Sequence, residues 1–224
     1  MKLIKISALL LLLVSCSDDT APTDATTPAD TDKATGIAAD AESIRPLLPG
    51  MRAPAFTLTD AAGKPWRFIP GSQHKPLLVT FFRGTWCPYC SRYLWRMREA
   101  EQALLDMGYE LVFISADQVS VLAQALEQEE KLQYTLLSDN DLVVARAFGI
   151  AFQVGQDYVD RLLEHDIDME AASGRDHHWL PVPATFVIGT DGVIEFQYVN
   201  PDYRVRAEPE VILAAARAAL KDSP

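Results

Sequence analysis

The chain has 224 residues, with 31 Asp plus Glu against 20 Lys plus Arg, 49% apolar content and three cysteines. That apolar content excludes wholesale disorder, and the length fits one domain of roughly 100–200 residues with some chain to spare. A formal net charge of -11 excludes nucleic acid as the main partner and a polybasic membrane patch, because both need a basic face. Three cysteines are too few for a disulfide-stapled mini-fold.

Residues 1–15 read as a signal peptide. Lys2 and Lys5 precede the short apolar run Ile6 to Val14, too brief for the roughly 20 apolar residues that span a bilayer. The run Leu13-Val14-Ser15-Cys16 resembles a bacterial lipobox, which implies cleavage before Cys16 and lipidation of its sulfur; an ordinary secretory signal with an incidental cysteine is the alternative. Cleavage there would leave 18 basic and 31 acidic residues, a net charge of -13. Residues 16–43 are rich in Thr, Ala, Asp and Pro and carry hardly any large apolar side chain before Ile37. Such a segment cannot offset its ordering entropy by burial, so a flexible acidic tether is expected there, with the domain beginning near Ile44 and spanning 44–224.

From Ile44 strands and helices alternate. Ala55 to Thr59 predicts a short strand, and Asp60-Ala-Ala-Gly63 a turn. Leu77 to Phe82 is a continuous apolar run, as in a central strand buried on both faces. A helix follows from about Pro88 to Met107, with Tyr93, Leu94, Met97, Ala100 and Leu104 on one side. Glu110 to Ser115 is the next buried strand, and Val119, Leu122, Ala123 and Leu126 mark the next helix. Thr135 to Leu137 is a short strand, and Leu142 to Phe148 a helix stopped at Gly149. Ala184–Ile188 and Val193–Gln197 flank Asp191-Gly192, a hairpin signal. The last helix starts at Pro209 and buries Ile212, Ala215, Ala216, Ala219 and Leu220. The expected fold is α/β, a mixed central sheet flanked by helices on both faces, with an inserted segment around 151–180 that breaks the rhythm.

Chemistry concentrates at one strand-to-helix junction, Phe82-Arg-Gly-Thr-Trp-Cys-Pro-Tyr-Cys90. Pro88 suits the first helical position, which puts Cys87 near the N-cap and Cys90 in the first turn. Unpaired backbone N–H groups and the helix dipole favour a thiolate there, and cysteines so placed have pKa values lowered to roughly 3.5–7.5. A redox-active pair is therefore expected. Three other readings stand beside it: a structural staple, whose short loop gains only roughly 2 kcal/mol; a zinc or copper site using Cys87 and Cys90 with His165, His177 or His178; and inert buried thiols.

The strand, the C-x-x-C helix start and the late Val182-Pro183 before Ala184-Thr-Phe-Val resemble the thioredoxin fold, in which a cis-proline faces the cysteines; Pro183 matches that position. More closely, residues 44–224 resemble the peroxiredoxin-like branch of the alkyl hydroperoxide reductase and thiol-specific antioxidant superfamily. The matching stretches are Phe81 to Cys90, Leu180 to Ile188 and Asn200 to Pro209. Laid without gaps, the peroxidatic cysteine falls on Cys90, the usual threonine on Cys87 and the usual proline on Arg83, so two peroxide-orienting groups are replaced. The superfamily's distant arginine falls on Arg206; the alternative is a surface arginine paired with Glu208 or Glu210. The resemblance implies catalysis by Cys90, Cys87 and Arg206, and a substrate faced by Trp86, Arg83, Val182 and Pro183. It implies no cofactor and no metal.

Two functions follow. A thiol peroxidase would reduce a hydroperoxide at one sulfur, resolve it as a disulfide with the other, and be reset by a thioredoxin-like dithiol donor. A membrane-anchored thioredoxin-like disulfide reductase would attack a substrate disulfide with Cys87 and release product with Cys90. The expected location is the bacterial cell envelope, anchored through Cys16. Because Ser17 rather than Asp follows that cysteine, the outer membrane is the expected side in a Gram-negative source.

Overall fold

The computed structural model describes residues 36–127 and 133–220. The expected signal peptide, Cys16 and most of the expected tether lie outside the described residues.

Among the described residues nine strands and six helices follow one another: β1 (Phe56–Asp60), β2 (Pro65–Phe68), β3 (Leu77–Phe82), α1 (Pro88–Asp106), β4 (Glu110–Ser115), α2 (Val119–Glu127), β5 (Thr135–Ser138) and α3 (Val143–Ala147) come first. Then come β6 (Ala151–Gln153), α4 (Gln156–Leu163), α5 (Met169–Ser173), β7 (Trp179–Pro181), β8 (Ala184–Ile188), β9 (Ile194–Val199) and α6 (Pro209–Ala219). Seven strands form the main sheet in the order β2-β1-β5-β4-β3-β8-β9. Parallel β5, β4 and β3 occupy its centre, and antiparallel pairs close both sides. This is the mixed α/β sheet that the alternating pattern predicts.

The period-2 geometry of a strand divides the core in two. Along β3, Leu77, Val79 and Phe81 enter one cluster, with Phe68, Phe148 and Phe186, while Leu78 and Phe82 enter the other. Along β4, Val112 and Ile114 join the first and Leu111 and Phe113 the second. Burying each such side chain contributes roughly 1.5–3 kcal/mol, so a register slip in β3 would be severely destabilising. The second cluster also holds Cys87, Cys90, Tyr93, Met97 and Leu104 of the α1 segment and Ile212 and Ala216 of α6. The reactive sulfurs are therefore built into the packing between sheet and helix.

The structure departs from the sequence reading at several points. β2 was not expected; it starts at Pro65 and lies at the sheet edge, where a missing N–H costs no ladder bond. The segment 151–180 folds as a unit: β6 pairs antiparallel with β7, and α4 and α5 lie between them. The packed chain begins before Ile44. Ile37 and Ala38 are buried, and Ala38 exchanges backbone bonds with Ala151 O (2.9 Å) and Gln153 N (2.8 Å), satisfying the free edge of β6. The Val182–Pro183 peptide is trans, since no described peptide bond is cis. With X–Pro isomers separated by about 0.5–1 kcal/mol, the sequence alone does not fix that choice.

Asp139 shows how the buried turns are held. It is buried after β5, and its carboxylate accepts from the N–H groups of Val144 and Ala145, opening α3. Burial outweighs those bonds and pushes its pKa up to about 7. The folded state thus binds a proton that the unfolded chain has already released above about pH 4, so this contribution to stability is lost as pH rises toward and through 7. Asp139→Asn keeps an acceptor but cannot ionise. Thermal unfolding of the two proteins from pH 4 to 8 should show the variant gaining on the wild type as pH rises; parallel curves would contradict this.

Candidate active site

The site forms where β3 ends and α1 begins. Cys87 is the N-cap residue of α1 in extended conformation (φ -87, ψ 113), with Pro88 next. Cys87 O accepts from Cys90 N (2.9 Å) and Ser91 N (3.1 Å), so the first turn sets both side chains on the side facing the sheet. Both thiols are free and buried. The loop before them has no spare room: a Cβ on Gly84 would meet Trp86 Nε1 at 2.1 Å, so the Trp86 ring lies directly on that glycine. Buried Asp117, which follows β4, accepts from Thr85 N (2.7 Å) and Ser115 Oγ (2.9 Å) and fixes the same loop from behind.

Two guanidinium groups flank the sulfurs. Arg206 Nη2 donates to Cys90 Sγ at 3.7 Å, and its other nitrogen binds the carbonyls of Tyr203 and Val205. Of the two carboxylates that were the alternative partners for Arg206, Glu208 pairs with Arg96 instead. Arg83, 2% exposed, lies among three aromatic rings, 4.1 Å from the Tyr203 centroid, 5.1 Å from Trp86 and 5.2 Å from Tyr158.

The two thiols ionise as a unit. The Cys90 thiol donates to Cys87, and this bond, helped by the charge of Arg83, brings Cys87 down to about 6 against the opposing effect of burial. The same bond, burial and the neighbouring charge raise Cys90, although Arg206 pulls the other way. At rest one proton is thus held between the sulfurs, with negative charge on Cys87. The expected downward pull of Arg206 on Cys90 is present, but the net direction for Cys90 is upward. The Cys87 charge in turn joins burial in raising Asp117 to about 6.

Of the residues expected to face substrate, Arg83 and Pro183 line one cleft, with Tyr158 and Tyr203. Trp86 is half-buried between that cleft and a second one beside α1. Val182 belongs to the core, its N–H bonded to Ile150 O at 2.8 Å. Tyr158 and Asp117 were not foreseen; neither lies in a motif, and only the fold carries them to the junction. Of the three histidines proposed as metal ligands, His165 is exposed and the other two are engaged elsewhere. His177 stacks on Trp179 with its Nε2 at Asn140 O, and His178 bonds Glu170. Among the described residues no three His, Cys, Asp or Glu side chains converge as a metal site would need.

With that geometry in place, residues 49–197 match the AhpC/TSA family. The chain belongs to the AhpC/TSA family. Peroxiredoxin Bcp of Escherichia coli is 32% identical over 107 residues, 48% of this chain and 67% of that protein. A chloroplastic peroxiredoxin Q of Suaeda salsa is 28% identical over 160 residues, 71% of this chain and 64% of the relative. The chain thus spans about two thirds of the length of these AhpC/TSA relatives. Peroxidoxin BcpB of Mycobacterium tuberculosis superposes with a TM-score of 0.57 at 23% identity, covering 76% of this chain and 96% of that one, which shows a shared fold.

Because the Cys90 donor contributes most to lowering Cys87, Cys90→Ala should raise the Cys87 pKa from about 6. Thiolate absorbance near 240 nm, followed against pH in the reduced protein, reads this directly. An unshifted titration would show that Arg83 and the helix start set the Cys87 pKa by themselves.

Proposed function

We propose that this protein is a thiol-dependent peroxidase that reduces hydroperoxides through the Cys87–Cys90 pair. The observation that carries the reading is the contact of Arg206 Nη2 with Cys90 Sγ at 3.7 Å, in a buried cysteine pair whose Cys87 thiol is lowered to about 6 by Cys90 and Arg83. Membership of the AhpC/TSA family and similarity to peroxiredoxins support it.

The geometry gives each sulfur a task. Cys87, as thiolate, accepts the proton of the Cys90 thiol. The Cys90 sulfur, paired with Arg206, attacks the terminal peroxide oxygen; an S–O bond forms, the O–O bond breaks, and Cys90 is oxidised to a sulfenic acid. The departing alkoxide takes the proton from Cys87 and leaves as alcohol. Cys87, again a thiolate, attacks the Cys90 sulfur and expels hydroxide, which becomes water on protonation, leaving a disulfide. A thioredoxin-like dithiol donor then resets the pair by exchange. Cys87 thus stands where the family's usual threonine would be, as proton acceptor first and resolving thiol second.

The lowered pKa of Cys87 favours one rival, a disulfide reductase in which Cys87 attacks first. Cysteine variants separate the two. Cys87→Ser should consume about one equivalent of hydrogen peroxide, slowly for want of the proton acceptor, and stop as a sulfenic acid on Cys90, while Cys90→Ser should be inert. Arg206→Met should slow the peroxide step. Mass spectrometry showing sulfenic acid on Cys87 in Cys90→Ser, with Cys90 unoxidised in the reciprocal variant, would reverse the order.

For location, the reading is a lipid anchor at Cys16 that holds the domain in the bacterial envelope, supported by the lipobox-like start. Cys16→Ser should release the protein from membrane fractions in soluble form; unchanged fractionation would reject the anchor.

A further inference from the structure

Asp117 is a buried carboxyl beside the sulfur pair that the proposed mechanism leaves unused. Its side chain is 0% exposed. Oδ2 accepts from Thr85 N at 2.7 Å and Ser115 Oγ at 2.9 Å, whereas Oδ1 is buried with no hydrogen-bond partner among the described residues. The backbone is pinned as well. Asp117 N donates to Ser115 Oγ at 3.1 Å, and Ser138 Oγ donates to the Asp117 carbonyl at 2.7 Å. The carboxyl is thus held against the turn that Cys87 N closes on Gly84 O at 3.2 Å.

Thr85 and Cys87 face this carboxyl from the β3–α1 loop, and Ser115 faces it from β4. The next buried carboxyl, Asp139 after β5, turns instead to the N–H groups that open α3. No cation pairs with Asp117 among the described residues, and the charge it meets is the like charge of Cys87. Two anions buried side by side are costly, and an ionised oxygen without a donor adds to that cost. The cost falls when the sulfurs join, because a disulfide carries no charge. Burial raises Asp117 in both states; the part due to Cys87 changes with oxidation and centres the exchange on about pH 6.

We propose that Asp117 holds the proton that the redox cycle releases and takes back, being neutral beside the reduced, anionic pair and ionised beside the disulfide. The proposal rests on the peroxidase reading and completes its balance. In oxidation, hydroperoxide, the Cys90 thiol, the Cys87 thiolate and the Asp117 acid give alcohol, water, the disulfide and the Asp117 carboxylate. Two electrons pass from the sulfurs to the peroxide, and the proton released by Asp117 balances the expelled hydroxide as water. Asp117 and the sulfurs together carry a single negative charge before and after. In reduction a dithiol donor returns two electrons and two protons, one to Cys90 and one to Asp117. No hydrogen bond joins Asp117 to either sulfur among the described residues, so it is a positioning residue that acts through its charge and its proton.

Asp117→Asn is the informative variant, because the amide oxygen keeps an acceptor for Thr85 and Ser115 while the side chain can no longer ionise. Reduced-minus-oxidised infrared difference spectra at pH 6 read the carboxyl directly. The disulfide is made with hydrogen peroxide in one series and with diamide in another. The reduced wild-type protein should gain a protonated-carboxyl band that is lost in Asp117→Asn and retained in Asp139→Asn. Thiolate absorbance followed against pH should place Cys87 below about 6 in Asp117→Asn, since the like charge is gone; a carboxyl that only braces the loop would leave it in place. No band in the wild type, a band that survives Asp117→Asn, or an unmoved Cys87 titration would each overturn the proposal. If diamide gives the band change and hydrogen peroxide oxidises nothing, the proton exchange stands and the peroxidase reading fails.

Discussion

One proton held between two buried sulfurs is the interaction on which the site depends. Burial alone would keep both thiols neutral, and an inert pair would result. The Cys90 donor, the charge of Arg83 and the backbone N–H groups of the first turn of α1 shift that balance until Cys87 ionises near neutrality, while Arg206 pulls on Cys90. The arrangement needs both cysteines in the packed layer between sheet and helix. It also needs Arg83 from the end of β3 and Arg206 from the approach to α6, so the fold must bring two distant stretches together, the β3–α1 junction and the approach to α6.

The rigid parts of the fold serve that convergence. Central β3, buried along its whole length, fixes the point from which the loop leaves. Trp86 on Gly84 and Asp117 beneath Thr85 leave the loop little freedom, and Tyr109 Oη donating to Ala216 O at 2.9 Å ties α6 to the same core. The Arg96–Glu208 pair joins α1 to the start of α6, two residues beyond Arg206. It is a surface pair, so its contribution is orientation more than stability.

Much of this was legible in the sequence because the signals were local. β3, β4 and β8 are runs dominated by apolar and β-branched residues and have the predicted bounds, and Pro88 places both cysteines at the helix start. Arg206 was reached through family resemblance, not through any property of its neighbours. What stayed hidden was long-range. Nothing around Tyr158 or Asp117 marks them, since their roles arise only when the 151–180 segment folds back and β4 packs beside β3. The trans state of Val182–Pro183 and the docking of Ile37 and Ala38 on β6 depend likewise on contacts made far along the chain.

In the proposed mechanism Cys87, Cys90 and Arg206 carry the chemistry. The shared proton remains the central point, and the pH dependence of the first oxidation tests it most directly. Reduced protein mixed with hydrogen peroxide in a stopped-flow instrument, followed by tryptophan fluorescence, yields the second-order rate constant at each pH. The constant should rise through about pH 6, the ionisation of Cys87 as part of the pair, and level off by neutrality. A constant that still climbs through about pH 8.5, where an ordinary thiol ionises, would contradict a singly ionised resting pair.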